Sequence, residues 1–103
     1  MAKKNKAYND LKQSLLSNLE TRGLTGRVYA DKVDEYMDFW QLLKELRADI
    51  AARGLTVVDD RGRVSENRSV SLSIQVSRQM LVIFNALGFK QDDVSGGDPD
   101  DDL

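Results

Sequence analysis

The chain reads as a mainly α protein, three helices with a short β-hairpin between the second and third. Three observations predict this. Apolar residues recur at steps of three and four through most of the 103 residues. Glycines stand where those runs stop. The one interruption of the helical period is a pair of short segments, Leu55-Thr56-Val57-Val58 and Arg63-Val64-Ser65, around Asp59-Asp60-Arg61-Gly62.

Tyr8, Leu11, Leu15, Leu16 and Leu19 predict the first helix over about residues 8–22. Asn5 or Asn9 can cap its start, and Gly23 suits the left-handed turn that ends a helix. Thr25, in the connection Leu24-Thr25-Gly26, is a candidate cap for the next element. The second helix is expected over about 27–53, on the stripe Tyr29, Val33, Tyr36, Met37, Trp40, Leu43, Leu46 and Ile50. Acidic residues crowd its first half and basic ones its second, as the helix dipole favours. At about 1.5 Å per residue it spans about 40 Å, more than a three-helix monomer of this size needs.

The hairpin is expected over about 55–66, with Gly62 supplying positive φ. Two short strands need a helix or a neighbouring subunit to lean on. Asn67 or Ser69 caps the third helix, expected over about 69–88 and ended by Gly88. That helix is apolar on two sides, Val70, Ile74, Leu81 and Phe84 on one and Leu72, Val76, Met80, Ile83 and Leu87 on the other. A helix apolar on most faces is buried on most faces, and a partner chain is the simplest cover. The candidate interface between copies is therefore Phe39, Val76, Met80, Ile83 and Leu87, in a homo-oligomer larger than a dimer.

Composition and charge set further bounds. Residues 1–7 form a basic flexible arm, 8–89 a helical domain, and 90–103 an acidic tail too poor in apolar residues to order itself. Residues 1–89 carry 14 Lys and Arg against 11 Asp and Glu, while 90–103 carry one Lys against six Asp. The body is mildly basic, which neither demands nor forbids a nucleic-acid partner. The chain has no Cys and no His, so disulfides, thiolate sites and the commonest general base are excluded. No GxSxG or P-loop signature is present, and no catalytic residue, cofactor or metal ligand is assigned. Asp34, Glu35 and Asp38 read as a solvated acidic face near a helix start. The N-terminus lacks the apolar core of a signal peptide, and no apolar run reaches membrane-spanning length.

Lys3, Lys4, Lys6, Lys12, Arg22 and Arg27 are the candidate DNA-binding residues, a cluster that can neutralise phosphates and release counterions. Repeated around an oligomer, such a cluster becomes a belt. Arg61, Arg63 and Arg68 are a weaker second set that also serves to guard strand edges. A helix-turn-helix reading of the first two helices is disfavoured, because the second is very long and turns acidic after Arg27. Tyr36 and Trp40 lie on the apolar stripe and read as packing, while Phe39 stands off it.

Several of these features recur in one order: Leu11, Leu15 and Leu19 before Gly23; Tyr36-Met37 and Trp40; the exit Ala51-Ala52-Arg53-Gly54-Leu55-Thr56-Val57; Arg61-Gly62; Asn67 with Ser69; and Met80-Leu81 before Leu87-Gly88. This order, over about residues 8–89, resembles the small terminase subunits of tailed phages, in particular the P27 family. Many relatives place a proline directly after the residue matching Asn67, where this chain has Arg68. The resemblance implies a ring-forming subunit that binds double-stranded phage genome DNA in the host cytoplasm. It would present that DNA to a large subunit carrying the ATPase and nuclease. The alternatives are a small oligomeric DNA-binding regulator and an adaptor protein of a mobile element.

Overall fold

The computed structural model describes residues 6–90. Lys3, Lys4 and the tail beyond Lys90 lie outside the described residues. The element order is α1 (Lys6–Thr21), α2 (Arg27–Arg53), β1 (Thr56–Val58), β2 (Val64–Glu66) and α3 (Arg68–Ala86). The helical fold with an interposed hairpin is as expected. α1 begins earlier than anticipated, so Lys6 and Ala7 belong to the helix and Asn9 lies inside its first turn. No helix among the described residues is long and apolar enough to cross a membrane.

α2 is the spine on which both other helices pack. Tyr8 meets Trp40 edge-on at 5.9 Å between ring centroids, and Lys12 Nζ reaches Asp34 at 2.9 Å. These contacts fix α1 antiparallel to the first half of α2. Ser69 Oγ donates to Asp49 at 2.6 Å, and Tyr36 faces Phe84 at 6.2 Å, so α3 is antiparallel to α2 along most of its length. The core is one cluster: Tyr8, Leu11, Leu15 and Leu19 of α1, Val33, Met37, Trp40 and Leu43 of α2, and Val76, Met80, Ile83, Leu87 and Phe89 of α3 and the turn after it. Each such aliphatic side chain contributes roughly 1.5–3 kcal/mol through burial.

Val76, Met80, Ile83 and Leu87 are thus 5–7% exposed within a single chain. This corrects the expectation that they face a partner. Their spacing puts them on one side of α3, and α2 covers that side. The apolar surplus of α3 lies on the opposite side, where Ile74, Leu81 and Val82 are exposed. Phe39 is half-buried and packs against the core.

Two helix ends show why the glycines stand where they do. After α1, Gly23 at φ 78° lets its N–H bond Glu20 O at 2.9 Å while Leu24 N–H bonds Leu19 O at 2.9 Å. After α3, Gly88 at φ 76° repeats the pattern, with Phe89 N–H on Phe84 O at 3.1 Å. Such a left-handed closure satisfies carbonyls that a helix end orphans, and an apolar pair usually accompanies it. Here that pair is Phe84 and Phe89, with ring centroids 5.4 Å apart. α2 starts differently from expectation: Gly26, not Thr25, takes the cap position and makes no side-chain hydrogen bond.

The hairpin pairs Thr56 with Glu66, Val57 with Ser65 and Val58 with Val64. Asp59 shapes its turn, accepting from the Arg61 and Arg63 N–H groups at 2.9 Å each. Those bonds hold the Asp59 carboxyl below the usual range. Leu55, Val58 and Val64 remain exposed, and only Val57 of the strands is half-buried.

Candidate nucleic-acid interface

The six cations expected to contact DNA do not form one equivalent set. Lys6 pairs with Asp10 at 2.7 Å, and its ammonium pKa is raised mainly by that hydrogen bond. Arg27 approaches Asp31 at 3.8 Å. Both are open to solvent, with side chains 88% and 91% exposed. Surface ion pairs of this kind are weak, so a phosphate can displace the carboxylate. Lys12 is different. Its side chain is 31% exposed and clamps α1 to α2 through Asp34, which raises its pKa.

Arg22 is committed to the fold. Nη2 donates to Leu87 O at 2.8 Å, and Nε donates to Asn18 Oδ1 at 2.9 Å. The guanidinium carbon stands 5.5 Å from the Phe89 ring centroid. A cation at a helix C-terminus neutralises orphan carbonyls and the negative end of the dipole. Arg22 therefore locks the ends of α1 and α3 together. Lys6 and Arg27 are the described members of the set that stay available to phosphate. They sit at opposite ends of α1, whose 16 residues span about 24 Å.

Three other arginines have no side-chain partner among the described residues: Arg61 at the hairpin turn, Arg68 at the start of α3 and Arg78 on its outward side. Arg63 stays near Asp59 at 3.3 Å. Arg61 and Arg68 belong to the second set read from sequence, and Arg78 was missed. Its only sequence signal is its place between Ile74 and Leu81 on a helix otherwise poor in charge. A groove of about 270 Å³ between α1 and the start of α2 has Glu20 as its charged lining residue, which disfavours an anionic ligand there.

Of the residues that carry the family resemblance, Arg53, Gly54, Leu55, Asn67 and Ser69 meet at the junction of α2, the hairpin and α3. Asn67 is fully buried. Its Oδ1 accepts from the Ser69 N–H at 3.0 Å and from Arg53 Nη2 at 3.2 Å. Its Nδ2 donates to Asp49 Oδ2 at 3.1 Å and to Gly54 O at 3.0 Å. All four hydrogen-bonding positions of the amide are used. Arg53 grips Asp49 through Nε at 2.7 Å and Nη2 at 2.8 Å. Hydrogen bonds from Arg53, then Ser69 and Asn67, hold the Asp49 carboxyl well below the usual carboxylate range. The Asn67 backbone N–H bonds Leu55 O at 2.9 Å, which closes the hairpin. Arg68 occupies the first helical position, where a helix accommodates proline without losing a bond, so the departure from the family pattern leaves the cap intact.

Comparison with family models, curated proteins and solved structures returns no match.

Proposed function

We propose that this chain is a small terminase subunit. It binds double-stranded phage DNA as a homo-oligomer in the host cytoplasm and presents it to the large ATPase and nuclease subunit for packaging. The junction carries the reading. Arg53, Gly54, Asn67 and Ser69, which belong to the resembling order, and Asp49 form one hydrogen-bonded polar unit that ties the end of α2 to the start of α3. The middle part of the sequence order that resembles the family, from Arg53 to Ser69, therefore holds a structural unit. The lack of a nucleotide-binding signature agrees with a division of labour in which another subunit supplies ATP hydrolysis.

The second reading is an oligomeric regulator or adaptor of a mobile element. The acidic outward side of α2 favours its adaptor form. DNA retardation by the full chain across 50 to 200 mM salt separates the readings. A DNA-binding subunit loses affinity steeply, with log K falling by about 0.9 per contacted phosphate per tenfold salt. Lys6→Ala and Arg27→Ala each lower that slope by about one. An adaptor retards no duplex at any salt. A regulator retards DNA as a dimer and leaves the large subunit's ATPase unchanged.

A further inference from the structure

The helical period sorts the exposed residues of α2 and α3 into two complementary faces. On α3, Arg78, Leu81 and Val82 follow Ile74 at four, seven and eight residues, on the side away from Val76, Met80 and Ile83. Ile74 is 50% exposed, Leu81 58% and Val82 59%. The guanidinium of Arg78 in their midst has no partner among the described residues. On α2, Asp31, Glu35, Asp38, Leu42 and Glu45 run along the side away from Val33, Met37 and Trp40. Asp31 and Glu35 are paired with Arg27 and Lys32. Asp38 and Glu45 form no hydrogen bond or ion pair among the described residues, and they bracket the exposed Leu42. Asp38 acts only at a distance, on the charge of Lys12.

We propose that these faces are the two halves of one contact between copies of this chain, the outward side of α3 in one copy lying on the outward side of α2 in the next. The spacings match. Leu42 stands four residues from Asp38 and three from Glu45, and Arg78 stands four from Ile74 and three from Leu81. Offsetting the two helices by one turn sets an aliphatic of α3 on Leu42 while Arg78 reaches Asp38 or Glu45. Neither face pairs well with itself, since one is acidic and the other carries a lone cation. DNA is a poor occupant of the α2 stripe, whose carboxylates repel phosphate. Because the two faces differ, each copy that pairs once still offers one face, and the contact repeats into a closed ring or an open filament. This rests on the oligomeric part of the proposed function and not on DNA binding.

The test uses the full chain at micromolar concentration, with mass read by light scattering and helix content by circular dichroism. The parent should exceed a dimer. Arg78→Glu and the double variant Asp38→Arg with Glu45→Arg should each lose the assembled mass while keeping the parent's helix content, since all three sites are on the surface. Mixing the two variants should restore it, because each supplies the face the other needs, and the mixed assembly should alternate. Retention of the parental mass by Arg78→Glu, or failure of the mixture to reassemble, overturns this interface and leaves the DNA-binding reading standing. A parent that runs as a monomer overturns the interface and the oligomeric reading together.

Discussion

Removing the Asn67 side chain should be the most damaging single polar change in the described part of the chain. Asn67→Ala deletes the acceptor that caps α3 at Ser69 N–H, a loss of about 1 kcal/mol. It also strips Gly54 O and Arg53 of partners they have at 3.0 and 3.2 Å. An unmade bond in a buried site costs about 1–3 kcal/mol. Together these give about 2–4 kcal/mol, against a typical domain stability of about 5–15 kcal/mol. For a domain of this size that lowers Tm by roughly 10–20 °C. Asn67→Asp separates geometry from chemistry. It keeps the shape and both acceptor roles, loses both donor bonds, and sets a second carboxylate about 3.1 Å from Asp49 Oδ2. At neutral pH it should be at least as destabilising as Ala, because like charges that close oppose each other's ionisation. The assay is thermal unfolding followed by circular dichroism at matched protein concentration, since self-association shifts Tm. A Tm for either variant within 2 °C of the parent would refute the claim that this amide joins α2 to α3.

The acid limb of stability should report Asp49, whose folded pKa is depressed first by Arg53. Its contribution is complete above the ordinary aspartate pKa of about 4 and is lost as pH falls below it, and Asp49→Asn should flatten that limb in a Tm series from pH 7 to 2. Gly88→Ala should destabilise more than Gly62→Ala in denaturant titrations. Both pay about 1–2 kcal/mol for a left-handed residue. A Cβ at Gly88 also comes within 2.8 Å of Arg22 Nη1 and disturbs its bond to Leu87 O, whereas one at Gly62 meets open space. Trp40→Phe should cost less than about 1.5 kcal/mol, because the indole Nε1 is buried without a hydrogen-bond partner, while Trp40→Ala should cost about 3–5 kcal/mol.

The extent of α2 was legible because a long 3.6-residue period ended at Gly54, and its bounds in the structure are those read from sequence. The α3 cap was narrowed by sequence to Asn67 or Ser69, and the structure gives it to Asn67, with Ser69 N–H as the group it caps. What sequence could not settle was which side of α3 turns inward. Both sides are apolar, and only the presence of α2 decides that Val76, Met80, Ile83 and Leu87 are core while Ile74, Leu81 and Val82 are surface. Arg22 read as a phosphate contact because it stands with other cations around the first helix. Its partner, Leu87 O, lies 65 residues away and is delivered by tertiary packing. The union of Asp49 with Asn67 is likewise invisible along the chain, since 18 residues and a hairpin separate them. The basic arm and acidic tail, Lys3, Lys4 and the Asp-rich stretch beyond Lys90, fall outside the described residues.

In the proposed function several copies of this chain act together on one DNA. Native mass spectrometry of the full chain mixed with a short duplex tests it in one spectrum. A complex holding more than two chains per duplex is expected, dissolving as salt rises while the protein assembly persists. A monomer or dimer, or an assembly that carries no DNA at low salt, would contradict it.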